Sequence, residues 1–315
     1  MNRLLILITA ILLASTVRAG ESIDKTLDVK TDGSVAINVM RGKLTITGWK
    51  KNQVKVNGEI DDNATGYTFE TSGGRTVFKI EMPNSAWGDH FTGDGSDLEI
   101  MVPVQNEIRF NGVNTNVTAD GVSGGTEIHV VNGNIDISDL SGAIYVETVN
   151  GGIKGSNLNG DIKLKTVNGE ITDTGSKGEL NLATVNGTIT TKTDADELSV
   201  SGVSSNARLT LNKIRKLKVS TVSGNVDVSV KALDKNASVK LSSVSGGLKL
   251  GLPKSVSAAF NIHANAGGQI VNSLSEHQAV KAEYGPSQSL QFSLKEGGAE
   301  INMSTISGHI ELTGN

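Results

Sequence analysis

Cysteine is absent from the 315-residue chain. No disulfide can brace the fold, no thiolate can serve as nucleophile or zinc ligand, and no acylated cysteine can tether the chain to a membrane. Proline occurs four times and aromatic residues make up 3 % of the chain, so the core must be built from Val, Ile and Leu rather than from large rings. Charge of one sign is also lacking. The net charge is −4, and it becomes −6 if Arg3 and Arg18 are removed with the leader described below. A mildly acidic chain is a poor partner for nucleic acid.

The first residues set the expected compartment. Arg3 precedes an apolar run, Leu4 to Leu13, broken only by Thr9, and small residues follow up to Val17-Arg18-Ala19. This is the layout of a signal peptide over 1–19. The run is about half of the roughly 20 residues that a spanning helix needs; a retained anchor is the competing reading. No later segment is long enough to span a bilayer. The expectation is an exported protein, periplasmic in a two-membrane host, with the cell surface or extracellular space as alternatives.

Glycine is abundant, with 37 residues, and its placement is regular. Gly124, Gly133, Gly142, Gly151, Gly160, Gly169, Gly178 and Gly187 follow one another at intervals of nine. The stronger unit is 18 residues. Val131-Asn132-Gly133, Val149-Asn150-Gly151, Val167-Asn168-Gly169 and Val185-Asn186-Gly187 repeat at that spacing, and the phase continues at Val203-Ser204-Ser205. Looser copies follow at Val222-Ser223-Gly224, Val244-Ser245-Gly246 and Ile306-Ser307-Gly308.

Around each turn the pattern is that of strands. Ile144, Val146 and Thr148 alternate with Tyr145 and Glu147; Ile162, Leu164, Thr166 and then Leu180, Leu182, Thr184 repeat the pattern. Period two places one set inward and the other in water. Ile135, Ile153, Ile171 and Ile189 hold one position after the turn. Asn-Gly is expected to supply the positive φ of a tight turn. One unit cannot offset the entropy of ordering its own backbone, about 1–2 kcal/mol per residue, and must stack on its neighbours. Stacking would align Asn132, Asn150, Asn168 and Asn186 about 4.8 Å apart as an amide ladder.

The expected fold is therefore all-β: a parallel β-solenoid with 18-residue coils of two strands, capped irregularly at both ends. An antiparallel meander would use the same glycines, but position-by-position identity of whole 18-residue units favours in-register stacking. The divisions expected are the signal peptide 1–19, an N-terminal β region or cap 20–110, the regular solenoid 111–250 and a C-terminal β region or cap 251–315. Within the last, 251–298 reads as an irregular excursion and 299–312 as one more strand-turn-strand.

Gly48-Trp49 before an alternating strand, Leu98–Pro103, the serial Val-Asn/Ser-Gly turns and the closing Thr305-Ile306-Ser307-Gly308-His309-Ile310 together resemble the bacterial putative-adhesin family. That family consists of exported proteins of unknown function with β-strand repeats. The resemblance covers most of 24–315. It implies a β-solenoid-like fold in an envelope protein and brings no catalytic residues with it.

Calcium β-rolls need Asp two positions after the turn glycine, where this chain has Ile135, Ile153, Ile171 and Ile189. Asp89, Asp94 and Asp97 beside Gly93 and Gly95 form an acidic loop, read as a solvated turn or a single calcium site. The histidines at 90, 129, 263, 277 and 309 are dispersed, without metal-ligand spacing. No Gly-x-Ser-x-Gly elbow occurs. Asp136, Asp161 and Asp173 fall in different phases of the repeat, so no carboxylate pair for glycoside chemistry is expected. Thr148, Thr166, Thr184 and Thr221 form a column that alternation turns inward, which disfavours an ice-binding face.

The basic run Lys213, Arg215, Lys216 and Lys218, with Lys231, Lys235 and Lys240 nearby, is either a patch for an anionic ligand or a solvated strand face. The functional expectation is a non-enzymatic envelope protein with a binding or scaffold role, using no cofactor. Its partner would be a glycan, a lipid headgroup or a protein. Alternatives are a self-assembling structural homo-oligomer and a carbohydrate-active enzyme on a β-helix.

Overall fold

The computed structural model describes residues 21–83 and 93–315. The signal peptide expected over 1–19, and Asp89 and His90, lie outside the described residues. Those described form 24 strands joined in one continuous sheet, with no helix among them. The fold is a parallel β-solenoid with antiparallel strands at its two ends.

In the middle of the chain each coil carries a long strand and a short one. Ser141–Asn150 lies parallel between Thr126–Asn132 and Asn159–Asn168, with Ile144 beside Ile162 and Asn150 beside Asn168. The short strand Ile153–Ser156 lies between Ile135–Ser138 and Ile171–Thr174, with Ile153 beside both Ile135 and Ile171. Partners here are 18 residues apart. Alternation buries Ile144, Val146, Ile162, Leu164, Leu180 and Leu182 along one wall and Ile135, Ile153, Ile171 and Ile189 along another. Each such side chain contributes roughly 1.5–3 kcal/mol. Thr148, Thr166 and Thr184 also point inward. They give their hydroxyls to the stacked carbonyls of Gly133, Gly151 and Gly169 at 3.3, 3.0 and 3.5 Å.

The turn glycines serve a different purpose from the one expected. Of the repeat glycines Gly133, Gly151, Gly169 and Gly187, only Gly133 has a positive φ, +153°. A Cβ on Gly151, Gly169 or Gly187 would instead lie 2.0, 1.9 and 1.8 Å from the carbonyl oxygen of the glycine in the preceding coil. The chain crosses this corner with its backbones in contact, and that closeness is what excludes a side chain. Left-handed backbone occurs at other corners: Gly121, Asp139, Asn157 and Gly175, each 18 residues after the last, have φ of 70°, 51°, 54° and 74°.

The period loosens toward the C-terminus. Ala207 stands beside Val226, and after a register shift at Ile214 and Lys216 the partners are Lys216 and Ser238. Ser238 then pairs with Glu300. Residues 251–298 are not an irregular excursion, because they contain the strands Ala258–Ala264 and Gln269–Asn272, which form the outer coil. The last coil, Ala299–Thr305 and His309–Gly314, is inserted between that outer coil and Val226–Ser243 with Leu248–Leu252.

The other end repeats the device. Ser34–Asn38 lies between Arg75–Glu81 and Glu107–Asp120, and Arg41–Trp49 between Ser96–Pro103 and Glu107–Asp120. The first coil in sequence is therefore also covered. Antiparallel strands close both ends: Ser22–Asp28 on Gln53–Glu59, Gly66–Ser72 on Arg75–Glu81, and Gln288–Leu294 on Ala258–Ala264. Reversed strands on the outside do not offer the next coil a parallel template, and Asp24, Lys25 and Asp28 put charge on one of them. The ends also take the rings. Phe69 meets Phe78 edge-on at 5.8 Å, and Phe260 stacks on Phe292 at 4.4 Å.

Candidate interaction faces

Three outward surfaces follow from this stacking. The short strands present Asp136 beside Lys154, Arg208 beside Asp227 and Lys249 beside Glu311, so opposite charges alternate and cancel along that face. Lys249 reaches Glu311 at 3.2 Å.

The long strands carry a denser polar cluster at their N-terminal half. The Tyr145 hydroxyl donates to Glu147 at 2.6 Å. That hydrogen bond, with desolvation behind it, pushes the phenol up to about 12. His129 lies 2.9 Å from Glu127 and 3.7 Å from Glu147, and its ring packs at 5.2 Å from that of Tyr145. Lys163 and Lys165 hold their ammonium groups 5.6 and 5.5 Å from the centre of the Tyr145 ring. Further along, the column that runs from Asn111 through His129, Glu147 and Lys165 turns small and uncharged, at Ala183 and Ser201, then Ser220, Ser242 and Ser304.

The corner between the two faces carries two adjacent ladders. One is of amides: Asn132 donates to Asn114, Asn150 to Asn132, Asn168 to Asn150 and Asn186 to Asn168, at 2.7, 2.8, 2.9 and 3.1 Å. Asn114 was missed because no glycine follows it, although it precedes Asn132 by 18 residues. The other ladder is apolar. It begins at Met40 and Val113, runs through Val131, Val149, Val167, Val185 and Val203, and ends at Val222, Val244 and Ile306. Val113 and Val167 are half-buried; the other eight are 38–49 % exposed. The signal was the first letter of every Val-Asn-Gly repeat, which alternation from inward Thr148 turns to water.

The basic run does not gather into one patch. Lys213 pairs with Asp234, while Arg215 and Lys216 share Glu197 at 2.7 and 3.3 Å. Lys218 sits apart on the long-strand face, with no ion pair among the described residues. Three of the four cations are thus paired, two of them through one shared carboxylate. His263 contacts Asn261 at 2.8 Å, and His277 stacks at 4.7 Å on Phe292. Among the described residues no three His, Asp or Glu side chains are grouped to hold a metal. Nor is any helix there long and apolar enough to cross a membrane.

Two carboxylates lie inside. Asp61 is 2 % exposed and pairs with Arg41 at 3.1 Å. Asp173 is 1 % exposed, in the inward column of Ile137 and Gly155, and accepts hydrogen bonds from Ser176 and from Thr191 at 2.8 Å. Desolvation raises its pKa, and the two hydroxyls only partly oppose that.

Residues 33–313 match the family described as Toastrack DUF4097. The chain belongs to that family. Toastrack DUF4097 thus spans both insertion caps as well as the regular coils. Solved structures similar to this chain include a putative cell adhesion protein from Clostridium sporogenes, at 14 % identity and TM-score 0.23 over 94 % of this chain and 100 % of that one. Putative adhesins from Bacteroides fragilis and Parabacteroides distasonis are 12 % and 13 % identical, with TM-scores of 0.35 and 0.39, each over 93 % of this chain and 97 % of the other. At such scores they add nothing to the fold described above. A search of the curated proteins finds no match.

Proposed function

We propose that this Toastrack protein is an exported, extracytoplasmic binding or scaffold protein of the cell envelope, acting without catalysis. It would be a stiff rod of 18-residue, two-strand coils that presents flat, repeating surfaces. The observation that carries this reading is the laddered corner, where an exposed or half-buried apolar side chain recurs at every coil from Met40 to Ile306. Such a surface suits an extended partner, a glycan chain or another protein, better than a small substrate, which needs a concave site with a few convergent polar groups. The charged and apolar residues at Leu4 to Ala19 support export, and the adhesin resemblance supports an envelope setting.

The test is fractionation of cells that express a C-terminally tagged chain, with protease shaving of intact cells. Release by osmotic shock with protection in whole cells supports a periplasmic scaffold; digestion on intact cells supports surface display. Retention in the cytosol, with an uncleaved N-terminus, overturns the reading.

A further inference from the structure

We infer that the C-terminal half of the long-strand face is a binding site for the anionic groups of an acidic glycan, carboxylate or sulfate, with Lys218 and Lys240 as its cations. This rests on the binding role proposed above and names the class of ligand. Three observations carry it.

The first is an uncompensated pair of like charges. Lys218 and Lys240 are direct partners in parallel register, one rung of about 4.8 Å apart. Both are exposed, and neither makes an ion pair or hydrogen bond among the described residues. The acids that flank them are Glu197, which Arg215 and Lys216 occupy, and Glu300, which makes no ion pair. Like charges set opposite each other in a sheet cost stability. Lysine on a strand often serves to block a free edge, but these two lie in interior coils, with Ala299–Thr305 and then Ala258–Ala264 stacked beyond them. A bound anion would remove the cost that the fold leaves in place.

The second is the supply of donors next to that pair. Lys240 adjoins Asn302, which adjoins Asn261; alongside, Ser242 adjoins Ser304, which adjoins His263. Asn261 accepts from Gln291 at 3.0 Å and donates to Asn302 at 3.5 Å. The Asn302 amide N–H groups are left without a partner among the described residues, as is the Ser304 hydroxyl. Lys240, Asn261, His263, Asn302, Met303 and Ser304 bound a depression of about 390 Å³, within the size range of ligand clefts. None of them is an acid.

The third is the kind of contact the surface permits. An extended peptide joins a sheet by pairing with a free edge, and interior coils offer none, so recognition here runs through side chains. Ammonium, amide and hydroxyl groups in rows suit the hydroxyls and anionic groups of a glycan. Val222, Val244 and Ile306, next outward along the strands from Ser220, Ser242 and Ser304, are 46, 41 and 49 % exposed and border the site with apolar surface for the C–H face of a sugar.

The experiment measures binding of the purified chain to immobilised polygalacturonate, dextran sulfate and neutral dextran at about 0.15 M salt. It is run beside K218Q/K240Q and the control K154Q/K192Q, which removes the same charge from exposed positions on the short strands. Expected is binding to one or both polyanions and none to dextran. Affinity should fall about 10-fold or more in K218Q/K240Q and stay unchanged in the control, and K218Q/K240Q should melt no lower than the parent. The polyanion held more tightly identifies the anionic group. Binding to neither polyanion, no loss in K218Q/K240Q, or equal losses in the two double variants overturns the proposal. So does binding to phosphatidylglycerol vesicles without binding to the polyanions, which would make this face a membrane contact. Retention in the cytosol would overturn the envelope reading and leave these binding results standing, so the two failures are distinguishable.

Discussion

Thr191 donates its hydroxyl to the buried carboxylate of Asp173 at 2.8 Å, from the adjacent coil and in the same inward column. The neighbouring walls of the core are aliphatic, and no cation is paired with this acid among the described residues. Burial raises the Asp173 pKa, so the folded state binds its proton more tightly than the unfolded chain does. The associated stability is fully present below the unfolded value of about 3.9 and is lost as pH rises through the raised folded value. Asp173→Asn keeps an acceptor for Thr191 without the charge. It should match the parent in acid and exceed it at neutral pH. Urea unfolding from acid to neutral pH reads this directly; a difference that does not change with pH would refute it.

Gly169 and Gly73 separate the two reasons a chain keeps glycine. A Cβ on Gly169 would meet the Gly151 carbonyl oxygen at 1.9 Å, whereas one on Gly73 meets nothing within 4 Å but sits at φ +61°. Gly169→Ala must push two coils apart and should cost about 2–3 kcal/mol, as overpacking does. Gly73→Ala carries only the left-handed penalty, about 1–2 kcal/mol. Thermal melts of the two variants should rank them in that order, and the reverse order would show that the corner can open.

The coil was legible because stacking makes each position answer to its counterpart in the next coil: the Ile column from Ile135 to Ile189 and the Asn column both follow from it. The reason for the turn glycines was not legible, since Asn-Gly has the same spelling whether it supplies a positive φ or a close backbone approach. The end caps were hidden for a topological reason. Ala299–Thr305 is inserted beneath Ala258–Ala264, which precedes it, and a linear period cannot express a coil laid out of order. The ion pairs of the basic run were not legible, because its carboxylate partners, Glu197 and Asp234, come from neighbouring coils. The apolar ladder was in plain view as the first letter of the motif.

The amide ladder gives a graded expectation. Asn150 both donates to Asn132 and accepts from Asn168, while Asn114 is an end member that accepts from Asn132. Asn150→Ala should lose about 1 kcal/mol, the usual net worth of such bonds at an exposed site, and Asn114→Ala less. Asn150→Ser should recover part of the loss, since Ser204, Ser223, Ser245 and Ser307 hold the same position in later coils. Chemical denaturation of the three variants is the measurement; equal losses at 114 and 150 would mean that the ladder bonds do not contribute as a chain.

Tyr145 reports on the charged half of the long-strand face. Its phenol is held at about 12, first because its hydroxyl donates to Glu147 and then because it is partly desolvated. Loss of the proton would leave a phenolate facing a carboxylate 2.6 Å away. Glu147→Gln removes the charge while keeping an acceptor, so the Tyr145 midpoint should fall toward the ordinary value of about 10. A spectrophotometric titration of E147Q against the parent, with Tyr145→Phe subtracted from each, isolates this one residue. An unchanged midpoint would place the cause in burial rather than in Glu147. A fall would establish that Tyr145 and Glu147 are coupled in solution.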